Sequence, residues 1–186
     1  LFSGKQTPKI KRCVSDEVSD RFVDLTSRYA ARAEAVGSGF SHNPSPGNIK
    51  DGLITDAIKS AGAAKKGGTS PIVDAFDYPD IVRKPGLNLL CTPGGDVEST
   101  TAMAGAHANV IVFTTGLGTP TGNPVCPVIK ASSSTELAER LPDMIDFNTG
   151  GIIRGETNLD ALSGELLDLI IEVASGRYAT KSQILG

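Results

Sequence analysis

The chain has 186 residues, with 18 Lys and Arg against 21 Asp and Glu and 39% hydrophobic residues, a composition typical of one globular domain. The formal net charge of −3, without clustered surplus Lys or Arg, argues against nucleic acid as a partner. The apolar runs are far shorter than the roughly 20 residues of a membrane helix, so a membrane span is excluded.

The cysteines and the first residues indicate the compartment and the extent of the chain. Cys13, Cys91 and Cys126 are an odd number and widely spaced, which fits neither a disulfide framework nor a C-x-x-C metal site. A cytoplasmic protein is therefore expected, with the cysteines as small core residues. The chain opens at Leu1 with neither an initiator Met nor a signal peptide. We expect a piece of a longer protein that lacks its N-terminal region.

The first part of the chain predicts helices joined by a loop. Apolar residues at spacings of three and four predict one amphipathic helix over 14–35, with Ser15 as N-cap and Gly37 as its end. Residues 37–52 are rich in Gly, Pro and Asn and predict a loop. A second helix is predicted over about 53–65. Weaker extended segments follow at 71–73 and 81–82.

The second part alternates short apolar runs with helical patterns. The predicted strands are 87–91, 109–113 and 125–129, and the predicted helices are 97–108, 135–141 and 159–175. Near-continuous Val, Ile and Leu strands separated by helices are typical of a parallel sheet covered on both faces. The sequence thus predicts an α/β fold, a three-layer Rossmann-like parallel sheet with helices on both faces. Residues 1–70 would be a helical and loop lead-in, and residues 71–186 the α/β core of one domain.

Small polar residues follow each predicted strand. TPGGD follows the first strand, TTGLGTPTGNP the second and KASSST the third, and DFNTGG resembles them in composition. Ligands of parallel α/β sheets bind where such loops converge, outside the carboxyl ends of the strands. Gly exposes backbone N–H groups, and Thr and Asn offer neutral donors and acceptors. The pattern favours a small, oxygen-rich, anionic ligand.

Each element also has a structural alternative. Asp96 fits equally well as an N-cap, and the TTGLGTPTGNP segment as a plain irregular loop without a nucleotide-binding motif. Lys130 is a base, a carboxylate partner or a surface terminus. Asp143 and Asp146 are expected to be solvated acids. The two imidazoles, His42 and His107, lack partners at metal-ligand spacing, and His107 fits the end of a helix.

Several ordered segments carry a resemblance. NPSPGN (43–48), FTTGLGTPTGNPVCPVIK (113–130) and IDFNTGGIIRGE (145–156) are similar to the C-terminal part of the altronate/galactarate dehydratase family, as are DLTSR (24–28) and VASG (173–176). The likeness covers nearly the whole chain. NPSPGNIKDG and the residues around Cys126 resemble the altronate dehydratase branch most.

The resemblance implies a hydro-lyase that dehydrates the hexonate sugar acid altronate to a 2-keto-3-deoxy acid by metal-assisted β-elimination. The implied cofactor is a divalent metal, iron(II) or manganese(II). Galactarate dehydratase and an (R)-sulfolactate sulfo-lyase type of the same family are alternatives. A non-catalytic domain that binds a small anion is the alternative from another class. The isolated fragment is expected to be inactive.

The resemblance also implies the site. Lys130 is expected to pair with the substrate carboxylate or enediolate, and Asp96 to ligate a metal or a hydroxyl. The substrate-binding candidates are Asn43, Asn48, Thr114, Thr115, Gly116, Thr119, Asn148 and Gly150. The expected partners are a small-molecule sugar acid, the missing N-terminal region of the same protein and, in a homo-oligomer, further copies of the chain. Neither nucleic acid nor a membrane is expected.

Overall fold

Parallel strands and helices alternate along the chain, and this confirms the α/β class. The computed structural model describes residues 6–37 and 44–185. Its internal contacts divide the chain into two compact units, Leu1–Cys91 and Thr92–Gly186, which are called unit 1 and unit 2 below. Each unit has its own small parallel sheet.

Unit 1 pairs two strands with helices that precede them. Its elements are α1 (Gln6–Ile10), α2 (Asp16–Ala35), α3 (Pro46–Lys50), α4 (Asp56–Lys65), β1 (Ile72–Phe76) and β2 (Leu87–Leu90). β1 and β2 are parallel, with Ile72 opposite Leu87 and Phe76 opposite Leu90. Phe22 and Leu25 of α2 pack against Ala75 of β1. The core of unit 1 therefore lies between α2 and its sheet.

Capping residues explain where the helices of unit 1 begin. The Ser15 side chain accepts a hydrogen bond from the Val18 N–H, and Gly37 follows the helix with φ of +71°, as predicted for α2. The second predicted helix begins at Asp56 rather than at residue 53, because Thr55 accepts from the Ile58 N–H and caps it there. The predicted loop contains α3. Residues 81–82 form no strand.

Unit 2 is built on three parallel strands. Its elements are α5 (Asp96–Gly105), β3 (Ile111–Thr115), β4 (Val128–Ser132), α6 (Thr135–Arg140), β5 (Phe147–Asn148), α7 (Gly151–Arg154), α8 (Leu159–Ala174) and α9 (Lys181–Leu185). The strand order is β3-β4-β5. Every residue of the central strand β4 is buried, as expected for a parallel strand covered on both faces. Ile111, Cys126 and Val128 form a buried cluster beside it.

β4 begins three residues later than the predicted strand. The Asn123 side-chain oxygen accepts hydrogen bonds from the backbone N–H groups of Val125 and Cys126, at 2.9 and 3.0 Å. Those two N–H groups are therefore held in a turn rather than in a strand ladder. The buried position of Cys126 agrees with its predicted role as a small core residue, and burial raises the pKa of its thiol.

The strands do not form the single predicted sheet. The predicted strand at 87–91 pairs with β1 as β2, whereas β3 pairs with β4. The division into two compact units accordingly falls after Cys91. The short apolar runs are alike in composition, so the sequence alone did not indicate which of them pair.

No helix among the described residues is long and apolar enough to cross a membrane.

Candidate functional site

The carboxyl ends of the three strands of unit 2 form one row of polar residues. In the parallel register, Thr115 of β3 lies opposite Ser132 of β4, and Ser132 lies opposite Asn148 of β5. Thr115 Oγ1 accepts a hydrogen bond of 2.9 Å from the Gly118 N–H, which turns the chain at the end of β3. The predicted convergence of polar loops at one sheet edge is therefore confirmed for the loops after β3 and β4, and DFNTGG joins them through β5. The TPGGD loop follows β2, which belongs to the other sheet.

Asn148 and Gly150 form the end of this row beside α6. Asn148 Oδ1 accepts a hydrogen bond of 2.9 Å from the Gly150 N–H, and its amide nitrogen lies 3.3 Å from Thr135 Oγ1. A Cβ atom at buried Gly150 would lie only 2.7 Å from the Thr135 backbone nitrogen. Only glycine fits there without a shift of backbone atoms.

Thr114 and Gly116 flank Thr115 and are both exposed. Exposed hydroxyl and backbone groups at the carboxyl end of a parallel strand are accessible to a small polar ligand.

Lys130 and Asp96 contact the same short segment of the chain. Lys130 is only 2% exposed, and its ammonium donates to the carbonyl oxygens of Thr119 and Pro120, at 3.2 and 3.3 Å. The Thr119 hydroxyl donates in turn to Asp96 Oδ2 at 2.8 Å. Three predicted site residues, which lie far apart in sequence, are thus joined through Thr119.

The surface-terminus alternative for Lys130 is wrong, because the residue is buried within β4. Burial lowers the pKa of Lys130, and the nearby Asp146 carboxylate acts in the opposite direction. Lys130 forms no ion pair with any residue in the described part of the chain. A buried ammonium that is hydrogen-bonded to carbonyl oxygens and forms no ion pair favours the binding of an anion.

The N-cap alternative for Asp96 is also wrong. Gly95 is the N-cap residue of α5, and Asp96 is the first residue of the helix. Its side chain is consequently available to the Thr119 hydroxyl, and negative charge is favourable in the first helical turn.

Asp146 is not the solvated acid that the sequence predicted. One carboxylate oxygen accepts from the Lys130 backbone N–H and the other from the Lys181 N–H, both at 2.8 Å. Its own N–H donates to the Lys130 carbonyl oxygen at 2.9 Å. Asp146 therefore fixes the backbone on which Lys130 is carried.

Two predicted binding residues belong to unit 1. Asn48 lies in α3, where its side-chain oxygen accepts a hydrogen bond of 2.8 Å from the Lys59 ammonium. Asn43 lies outside the described residues, as does His42. His107 is exposed and follows α5 with φ of +72°, which agrees with its predicted place at the end of a helix.

The described residues do not fit a metal ion by themselves. They contain no group of three or more His, Cys, Asp or Glu side chains able to hold one. Asp96, the predicted ligand, offers a single carboxylate, and one of its oxygens already accepts from Thr119. One carboxylate falls short of the ligand sets that bind divalent metals in proteins.

Sequence reasoning predicted the KASSST segment at this sheet edge, but it named neither Ser132 nor Thr135 as a site residue. Ser132 is fully buried, and its carbonyl oxygen accepts from both the N–H and the hydroxyl of Thr149, at 2.7 and 3.0 Å. The Ser132 hydroxyl bonds to Ser134 and shapes the turn into α6. The available signal was the Ser-rich segment directly after the apolar run of β4.

Fold and site together define an α/β domain with a polar site at the carboxyl edge of a parallel sheet. Residues 2–186 match the family model described as D-galactarate/Altronate dehydratase, C-terminal. The chain belongs to this family and corresponds to its C-terminal domain, which confirms the resemblance found in the sequence motifs.

Curated relatives support the same assignment. The chain is 36% identical to altronate dehydratase of Bacillus subtilis (strain 168) over 94% of its own length and 35% of the relative. It is 37% identical to galactarate dehydratase (L-threo-forming) of Escherichia coli (strain K12), over 94% and 34%. It is 32% identical to (2R)-sulfolactate sulfo-lyase subunit beta of Chromohalobacter salexigens, over 94% and 46%. The chain thus spans about a third of the two dehydratases.

Proposed function

We propose that the chain is the C-terminal domain of a hydro-lyase that dehydrates altronate, a hexonate sugar acid, to a 2-keto-3-deoxy acid. One observation carries the proposal within this lyase family. The buried ammonium of Lys130 and the carboxylate of Asp96 are both bonded to Thr119. A cation and an anion are thereby held on one short segment, next to the polar strand ends of unit 2.

The reaction needs groups of these two kinds. Dehydration breaks the C2–H bond and the C3–O bond of the acid, the proton and the hydroxyl leave as water, and the enol product rearranges to the 2-keto acid. Negative charge develops on the carboxylate as the C2 proton is removed. The proposed role of Lys130 is to stabilise this enediolate with its ammonium, which is effective because the group is buried away from water.

Asp96 is proposed to bind a substrate hydroxyl. Its Oδ2 already accepts from the hydroxyl of Thr119, so the carboxylate is oriented as an acceptor. The polar strand-end residues Thr114, Thr115, Gly116, Asn148 and Gly150 are the proposed contacts for the remaining hydroxyl groups. Hydroxyl, amide and backbone N–H groups suit a polyhydroxy chain, because they form hydrogen bonds with its hydroxyl groups. These bonds orient the chain and replace the hydrogen bonds that it makes to water.

The activity test uses the complete protein that contains this domain. Purified protein is incubated with altronate, and the 2-keto acid formed is measured. Galactarate and (2R)-sulfolactate are assayed in parallel, because relatives of similar identity carry the names of enzymes for those acids. Faster turnover of altronate than of either acid is the expected result. Absence of product from all three would refute the enzyme proposal.

Dependence on iron(II) or manganese(II) is a separate prediction from the family resemblance. The assay is repeated after chelation and after addition of each metal. Activity that is unchanged by chelation would remove the metal from the proposal.

A second function is favoured by one specific feature, the buried Lys130, which forms no ion pair with the described residues. A non-catalytic domain that binds a small anion also needs a buried cation. It predicts saturable binding of an acid without formation of a 2-keto product, so the assay above separates the two functions.

A further inference from the structure

A cavity of about 780 Å³ lies beside Lys130 in unit 2. It is lined by the segment between Pro120 and Pro127, by Met144 and by residues of α9. The volume is within the usual range for pockets that bind small molecules. The family assignment does not account for this cavity, and the predicted binding residues other than Lys130 do not line it.

Lys130 is the one Lys or Arg among the described residues that line this cavity. An ammonium group has three N–H donors, and two of them are used by the carbonyl oxygens of Thr119 and Pro120. The third has no partner among the residues that the structure describes. Lys130 is only 2% exposed, and it forms no ion pair with the residues that the structure describes. A bound anion would accept the third hydrogen bond and would form an ion pair with the ammonium.

Two carboxamides on the same wall present donors. Asn123 Oδ1 accepts from the N–H groups of Val125 and Cys126, at 2.9 and 3.0 Å. Gln183 Oε1 accepts from the N–H and the hydroxyl of Thr180, at 2.9 and 3.1 Å. Because both side-chain oxygens are occupied, the NH₂ ends remain to bind a ligand. Neither NH₂ has a partner within the described residues.

We infer that this cavity binds the carboxylate of a small hydroxy acid through Lys130, Asn123 and Gln183. The inference rests on the proposed function, for which it names the carboxylate subsite of the sugar acid. A carboxylate accepts several hydrogen bonds, and charge-assisted bonds to an ammonium are among the strongest in proteins. Met144 and Leu185 line the same cavity with apolar surface.

The test replaces donors without removing the acceptors that shape the loop. Asn123→Asp and Gln183→Glu keep the oxygen that binds the backbone, but they exchange the NH₂ for a second oxygen and add negative charge. Asn158→Asp is the matched control. It makes the same chemical change at the N-cap of α8, where Asn158 Oδ1 accepts from the Ala161 N–H.

The measurements use the complete protein. Calorimetric titration gives Kd for the 2-keto-3-deoxy acid product, with altritol as the uncharged comparison, and steady-state assays give KM for altronate. Loss of a hydrogen bond to a charged ligand predicts at least about tenfold weaker binding of the acid for both variants. The control variant keeps the wild-type Kd, and altritol binds weakly to every form.

The outcomes separate the inference from the proposed function. Wild-type Kd and KM in both variants, with normal turnover, would overturn the cavity assignment and leave the enzyme assignment intact. Weakened binding of an acid by both variants, with no 2-keto acid formed by any form, would uphold the cavity and refute the proposed function. If Asn123→Asp lowers the melting temperature, the Gln183→Glu variant alone tests the inference, because Gln183 is exposed and its substitution disturbs the fold less. A wild-type protein that binds none of the acids refutes the subsite.

Discussion

Asp74 in unit 1 and Lys130 in unit 2 are the two charged residues buried among the described parts of the chain, and they are treated in opposite ways. Asp74 Oδ1 accepts from Arg21 and from the Ala75 N–H, at 2.9 and 2.8 Å, and Oδ2 lies 2.8 Å from the Lys84 ammonium. Lys130 has two carbonyl partners and no ion pair in the described residues.

The difference indicates what each charge does. Burial acts to raise the pKa of Asp74, but Lys84, the Ala75 N–H and Arg21 outweigh it and hold the pKa below its ordinary value. The folded chain therefore stabilises the charged form of Asp74, as expected for a structural group. For Lys130 burial outweighs the Asp146 carboxylate and the pKa is lowered, so folding disfavours the charged form of Lys130. Such a shift is typical of residues kept for function.

The largest effect is expected for Lys130→Met, which removes the ammonium and keeps a side chain of similar length. Loss of one donor to a developing oxyanion predicts a fall in kcat of about 10²–10³-fold. The free energy of unfolding should change by less than about 1 kcal/mol, because an apolar side chain avoids the cost of burying a charge. Assays of 2-keto acid formation and urea denaturation measure the two quantities. Near-normal turnover would contradict the role of Lys130.

Asp74→Ala should give the reverse pattern in stability. It leaves the buried Ala75 N–H without its acceptor and removes the anion from two cations, so the free energy of unfolding should fall by about 2 kcal/mol. Glu17→Ala is the control, since it removes the exposed partner of the same Arg21 and should cost at most about 1 kcal/mol. Equal losses in the two variants, measured by urea denaturation, would show that Asp74 is no more structural than a surface acid.

Thr119→Val tests whether Thr119, as well as Lys130, contributes to the proposed activity of unit 2. The substitution keeps the shape but removes the hydroxyl that holds Asp96, and we expect a loss of about tenfold in kcat/KM. Thr100→Val is the matched control. Thr100 is equally buried in unit 2, but its hydroxyl bonds only to the carbonyl oxygens of Asp96 and Val97 in its own helix. Equal activity in the two variants would separate Thr119 from the site.

The smallest effects concern pH, where the two residues act in different windows. The pKa of Asp74 is lowered on folding, so its stabilising contribution is complete above its ordinary value of 3.8 and is lost as the pH falls through the folded-state value. The pKa of Lys130 is also lowered, so stability rises as the pH increases from its folded-state value towards 10.5. Urea denaturation across pH should lose the acidic slope in Asp74→Asn and the alkaline slope in Lys130→Met. A slope that persists in its own variant would assign that window to another group.

Much of the local structure was predictable because it depends on neighbours in sequence. The cap at Ser15, the end of α2 at Gly37 and the helix of residues 159–174 follow from short-range hydrogen bonds and from apolar spacing. The strand-end positions of Thr115 and Asn148 were predictable for the same reason, since polar loops directly follow apolar runs. The surroundings of Lys130 were not predictable. Nothing near Lys130 in sequence indicates that its ammonium donates to the carbonyl oxygens of Thr119 and Pro120.

The sequence by itself determined the α/β class, the family and the identity of the residues at the strand ends, since these depend on local pattern and ordered motifs. Only the tertiary structure decided that the strands form two sheets and that Asp96 meets Lys130 through Thr119. It alone also decided that Asp74 has ion-pair partners, whereas Lys130 has none among the described residues. Strand pairing and charge compensation arise from contacts between distant residues, and periodicity along a chain does not encode those contacts.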